Sequence, residues 1–174
     1  SLGGVLVPGP VRRSVPWVTV DFKVGDVAVR VVACHLAAGS DDSSSSQRLR
    51  QLASIAKGRS GFGAFVVLGD LNVRDDECEQ ICEKYELVDA GNARDFTWSP
   101  VQNAYHVHPG GVAVKSHRFD RILYQGACCV EIFLVANAKI YRDGKPFCLS
   151  DHFGVVGVCD VAALYGVDVG SESV

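Results

Sequence analysis

Residues 147–161, FCLSDHFGVVGVCDV, set a Ser-Asp-His triplet directly ahead of a run of Val and Gly. The run from Phe153 to Val161 predicts a buried strand, since a short apolar stretch rich in β-branched residues suits a strand covered by a core. Burying an unpaired polar group costs about 2–7 kcal/mol. Asp151 and His152, at the lip of that strand, therefore need partners from other elements.

Other apolar runs end the same way. VPWVTVDFKVGDVAVRVVACHL (15–36) holds two strand-like runs joined at Gly25-Asp26, a hairpin pattern, and the second run ends at His35. AFVVLGDLN (64–72) is a strand ending in Asp70 and Asn72, which strand alternation would place on one side. RFDRILY (118–124) carries Asp120 between Phe119 and Arg121, and CCVEIFLVAN (128–137) reads as a further strand, followed by a turn at RDGK.

Two helices are expected between these strands. SSSSQRLRQLASIAK (43–57) offers a capping box from Ser44 and Gln47 and an apolar stripe of Leu49, Leu52, Ile55 and Ala56. DDECEQICEKYEL (75–87) has Cys78, Ile81, Cys82 and Tyr85 at helical spacing, with three acids at its start that suit the helix dipole. Residues 89–116 are loop-rich. The class is α/β with a mixed, mostly antiparallel sheet and flanking helices.

At 174 residues, 48% apolar, the chain is long enough for one core. One domain over 1–165 and a frayed tail over 166–174 are expected. The chain opens Ser-Leu-Gly-Gly and contains no Met, which suggests a piece or a processed form of a longer protein. No apolar run approaches the ~20 residues of a membrane-spanning helix. Seven scattered Cys, an odd number, argue for small core thiols rather than a disulfide framework, and so for a reducing, intracellular setting. A net charge of -3 gives no global attraction for nucleic acid. A polyanion would need a local patch, and residues 47–59 offer Arg48, Arg50, Lys57 and Arg59 without an acid. The alternative is a solvated helix face.

Each polar strand end has an ordinary explanation. Asp70-x-Asn72 is a common turn, Asp120 would pair with a neighbouring Arg, and His35 would be a satisfied core histidine. Ser150 is no triad nucleophile, because consecutive residues cannot converge as a triad does. Jointly, however, acid, amide and imidazole groups at four strand ends form a set suited to metal-assisted phosphoryl chemistry.

At these residues the chain resembles the endonuclease/exonuclease/phosphatase superfamily of metal-dependent phosphoesterases. ACHL is similar to that family's Thr-His-Leu segment, with Cys34 where Thr is usual. GDLN, FTW, RFDRIL and SDHF resemble its Gly-Asp-x-Asn, Thr-Trp, Arg-x-Asp-x-Ile/Leu and Ser-Asp-His segments, in the family's order, over about residues 16–161. GDLNVRDDE and FTWSPVQNAY look like the 5′-tyrosyl-DNA phosphodiesterase branch. The resemblance implies part of a four-layer αββα sandwich and Mg²⁺ (or Mn²⁺) as cofactor. It implies His152 at the scissile phosphate, Asp120 orienting it, Asp70 on the attacking water or the metal, and Asp151 as a metal ligand. Asn72 and His35 would meet phosphate oxygens, and Trp98 and Arg118 would line the substrate groove. Nucleic acid, or another phosphodiester such as a phosphoinositide or sphingomyelin, would be the substrate.

One departure stands out. Family domains open with an Asn-bearing strand and a second strand ending in Gln-Glu, whose Glu is the main metal ligand, and no Gln-Glu pair occurs here. The chain looks like the C-terminal part of the domain. Its first half would then be supplied by another segment or chain, or the fold would serve as a non-catalytic assembly module, or the chain would be a degenerate relative that keeps the site residues without turnover.

Overall fold

The computed structural model describes residues 17–92, 95–103, 115–126, 129–136 and 138–160. The tail expected over 166–174 and Val161 lie outside the described residues, as do residues 1–16. Strands β1 (Trp17–Val24) and β2 (Val27–His35) form the expected hairpin, with Gly25 at φ +57° in the two-residue turn. Helix α1 (Asp42–Ala56) and a short 3₁₀ turn lead into β3 (Ala64–Asp70), which runs parallel to β2. That parallel step requires a crossover, and α1 provides it. Helix α2 (Asp75–Tyr85), β4 (Val88–Asp89) and β5 (Asp120–Gln125) complete a five-stranded sheet of order β1-β2-β3-β5-β4, with β5 antiparallel to both β3 and β4. The sheet is mixed and mostly antiparallel, as expected.

Strands β6 (Cys129–Val135) and β9 (Gly154–Asp160) pair antiparallel as a second small sheet. Between them β7 (Ile140–Arg142) and β8 (Lys145–Phe147) form a hairpin whose turn residues Asp143 and Gly144 have φ +51° and +73°. Register places Phe133, Val135, Val156 and Val158 on one face of the β6–β9 pair, and each remains 39–54% exposed.

Both helices pack on one face of the larger sheet. Leu52 and Ile55 of α1, Cys78 and Ile81 of α2, and Val32, Phe65, Val67 and Leu123 of the strands form one buried cluster. Cys78 and Cys82 belong to this packing, their sulfurs 3.9 Å apart.

Two expectations for α1 change. Its N-cap is Asp41, whose carboxylate accepts the Ser44 N–H and the Ser44 hydroxyl, so no Ser44–Gln47 box forms. Aspartate caps well because its side chain reaches the free amides of the first turn. The basic stretch loses Arg48, while Arg50 and Lys57 stay exposed. Arg48 is 1% exposed, forked onto Glu77 at 2.6 and 3.1 Å, with a second amino group donating to the carbonyls of Ala37 and Gly39. It turns inward because the acid-rich start of α2 faces α1 there. Arg59 lies over the Tyr85 ring, 5.5 Å from its centroid.

Candidate active site

The sheet register explains why polar residues end these strands. His35 stands beside Asp70 across the parallel β2–β3 pair, and Asp70 stands opposite Asp120 across the antiparallel β3–β5 pair. Three adjacent strands thus deliver an imidazole and two carboxylates to one edge. Gly69 makes the end of β3 possible: its φ is +128°, and a Cβ there would lie 2.0 Å from the Cys34 carbonyl oxygen. Only glycine tolerates both the angle and the approach.

The fourth strand end arrives from the other sheet. Just before β9, His152 forms an isolated β-bridge with Trp98, which bridges in turn to His117. His152 Nδ1 lies 2.6 Å from Asp120 Oδ2. An ionised carboxylate only accepts, so Nδ1 carries the proton and Nε2 is left facing outward. Nε2 is 3.9 Å from Asp70 and 4.0 Å from Asp151, and Asp70 is 3.5 Å from His35 Nε2. His152 thus finds its partner in Asp120, and Asp151 lies within ion-pair reach of His152 itself. Asp120 pairs with His152 rather than with an arginine. Arg121 goes instead to Asp89 and Asp75.

The charges act on one another. Hydrogen bonding to Asp120 holds the His152 pKa above the usual imidazole value, against the opposing effect of burial, and Asp70 and Asp151 add to the rise. Asp70 is also raised, first by burial and then by the charge of Asp120 opposite it. Burial, with the Asp70 charge, pushes the Cys34 thiol up to about 12 and keeps it neutral.

Asp70, Asp120 and His152 offer ligand atoms within 4.8 Å of one another. Asp120 and Nδ1 are bonded to each other, so the Asp70 and Asp151 carboxylates, both within 4.0 Å of Nε2, are the groups that would hold a cation. Carboxylate oxygens fit a hard divalent cation such as Mg²⁺, which would fill its remaining positions with water and substrate oxygens.

Other expected site residues fall differently. Asn72 does not continue β3: it lies past the strand at φ +51°, is 8% exposed, and donates from Nδ2 to the Leu36 carbonyl. Its backbone N–H binds Asp70 Oδ1, so the Asp-x-Asn turn and the aimed Asp70 coexist. Ser150 accepts the His152 N–H through Oγ, a local turn role. Trp98 sits half-buried beside Phe119 and His117, whose rings stack 4.9 Å apart. Arg118 is forked onto Asp89 at 2.5 and 2.8 Å, away from His152. It lines a groove of about 460 Å³ with Arg74, Lys115, Arg121, Phe96 and His117, and with the acids Asp75 and Asp76. Arg74 lies 4.7 Å over the Phe119 ring, and Phe119 is 6.2 Å from His152, so the groove adjoins the edge described above.

Thr97 was legible only as part of a motif. It is fully buried, and its Oγ1 accepts the N–H groups of Phe119 and Asp120. Asn103, 1% exposed, donates to the Ser150 carbonyl and holds the triplet loop from its other side.

This architecture is that of the endonuclease/exonuclease/phosphatase fold. A truncated Caenorhabditis elegans TDP2 matches with a TM-score of 0.60 at 24% identity, over 80% of this chain and 57% of that one. A D. rerio TDP2 complexed with a single-strand DNA product matches at 0.60 and 20% identity, over 88% and 65%. A Staphylococcus aureus beta toxin F277A, P278A mutant with bound magnesium ions matches at 0.62 and 19% identity, over 81% and 56%. The chain thus spans little more than half the length of the first and third of these structures. No protein-family model and no curated protein matches it.

Proposed function

We propose that this chain carries the catalytic edge of a divalent-metal-dependent phosphodiesterase acting on nucleic acid, with a 5′-phosphotyrosyl DNA end as the favoured substrate. The observation that carries this reading is the 2.6 Å Asp120–His152 pair set beside Asp70 and Asp151. Asp120 holds the Nδ1 proton and raises the pKa of the ring, so the imidazolium can also present an Nε2–H to charge growing on a non-bridging phosphate oxygen. Asp70, its pKa raised, orients the attacking water and accepts its proton, with His35 alongside. Asp151 and Asp70 would hold Mg²⁺ or Mn²⁺, which supplies Lewis-acid charge when bound. Asn72 serves this site by fixing the turn that aims Asp70. A role for its amide at a phosphate oxygen requires release from Leu36.

Nucleic acid is favoured over a lipid phosphodiester by the groove near His152, where Arg74, Lys115, Arg118 and Arg121 outnumber Asp75 and Asp76 and Phe96 and His117 add rings, because Lys/Arg contacts and ring stacking are the means of holding a strand. Arg118 belongs to its wall, and Trp98 stands behind it against His117. The exposed Phe133, Val135, Val156 and Val158 face, with a length little over half that of two similar structures, supports a further segment or chain that completes the sandwich. The non-catalytic assembly module remains the opposing reading.

The test is hydrolysis of a 5′-tyrosyl oligonucleotide and of detergent-dispersed sphingomyelin and phosphoinositide, each with Mg²⁺ or EDTA. Metal-dependent cleavage of the oligonucleotide is expected. Preference for a lipid would overturn the substrate, and inactivity on every substrate, with the completing segment supplied, would favour the module.

A further inference from the structure

We infer that Thr97 is the positioning residue that sets Asp120 against His152. The inference rests on the reading of that pair as the reacting machinery. Thr97 is 0% exposed and touches both halves of the pair through the backbone. Its Oγ1 accepts the Phe119 N–H at 3.1 Å and the Asp120 N–H at 3.0 Å. Its carbonyl accepts the N–H of Phe153, the residue after His152, at 2.7 Å, and its own N–H donates to His117. The Phe119 carbonyl in turn accepts the N–H of Leu71, the residue after Asp70, at 2.9 Å. One buried threonine therefore lies at the junction of the β3, β5 and β9 ends, tied within one residue of Asp120 and His152 and, through Phe119, of Asp70.

The chemistry restricts what can stand there. A hydroxyl has two lone pairs, and both are spent on adjacent amides. Valine has the same shape but leaves two buried N–H groups without an acceptor. Serine keeps the acceptor and loses only a methyl. A residue that merely fills space would favour Val; a clamp requires Ser or Thr.

The experiment reads the His152 Nδ1–H signal by NMR in protein carrying ¹⁵N-histidine, without metal or substrate, assigned through its loss in His152→Gln. The wild type and Thr97→Ser should show a low-field signal in slow exchange with water. In Thr97→Val the exchange should be about tenfold faster or more, because the bond opens more readily. An unchanged exchange rate in a folded Val variant overturns the inference. Should that variant not fold, wild-type amide exchange decides. Protection of Phe119 and Asp120 matching the centre of β5 supports the clamp, and exchange at loop rates refutes it. Turnover gives a second reading: Thr97→Val should lower kcat by about tenfold or more with little change in KM, and Ser should restore it. The NMR readout needs no activity, so a wild type without turnover, the completing segment supplied, would refute the proposed function and leave the clamp standing.

Discussion

Asp70 and Asp120 stand directly opposite each other at the end of the antiparallel β3–β5 pair, two carboxylates where cross-strand neighbours ordinarily avoid like charge. The repulsion contributes to the raised pKa of Asp70. Replacing Asp70 by Asn should therefore stabilise the metal-free protein, by about 0.5–1 kcal/mol on the scale of cross-strand pairs. The amide keeps the acceptor for the Asn72 N–H but cannot take a proton from water, so turnover should fall together with the gain in stability. Urea unfolding of the metal-free variant checks the first half, and loss of stability would contradict it.

A pH dependence follows from the two raised pKa values. The folded protein holds a proton on His152 more tightly than the unfolded chain does, so this contribution to stability is fully present below about pH 6.5, the unfolded imidazole value. It is lost as pH rises through the folded value. Asp70 has the same sign in a lower window that begins at its ordinary carboxylate value of 3.8. The melting temperature of the metal-free protein should thus fall as pH is raised above 6.5, and His152→Gln should flatten that slope. An identical slope in the variant would contradict it.

Arg48 and Glu77 join α1 to the start of α2 in a pair with side chains 1% and 6% exposed. Removing one member leaves the other charged and buried, which costs about 3–5 kcal/mol. Arg48→Ala should lose about that much in urea unfolding. A loss below about 1 kcal/mol, the usual worth of a surface pair, would show that the pair is solvated.

Gly69 should tolerate no side chain. A Cβ would strike the Cys34 carbonyl, and φ +128° is itself unfavourable for other residues. Gly69→Ala is expected to cost at least the ~1–3 kcal/mol of backbone strain, and to displace Asp70 from His35. Retained stability and activity would contradict this.

Much of this architecture was legible in the sequence, because strand ends are marked by a change from β-branched to polar residues. His35, Asp70, Asp120 and Asp151-His152 each lie at or beside such a change; register brings the first three to one edge, and the Asp120–His152 bond joins the fourth to them. The hairpin at Gly25-Asp26 was equally plain. What the one-dimensional pattern hid were inward-turning polar groups. Arg48 looks like one cation of a basic stretch until its partner, 29 residues away, is known. Asn72 reads as a strand neighbour of Asp70 because alternation assumes that the strand continues, whereas the backbone turns left-handed there. Ser44 reads as a cap because Asp41 precedes the polar run without an apolar signal. Thr97 carries no periodicity at all. Its place depends on hydrogen bonds to residues 22 and 23 positions along the chain.

The account is tested most directly by single-turnover cleavage of a 5′-tyrosyl oligonucleotide in Mg²⁺, comparing the wild type with His152→Ala, with the completing segment supplied. Metal-dependent cleavage by the wild type is predicted, slowed in the variant by about 10²–10³-fold, the usual cost of removing one donor to transition-state charge. Equal cleavage by a folded His152→Ala protein would contradict the assignment of this edge as the active site.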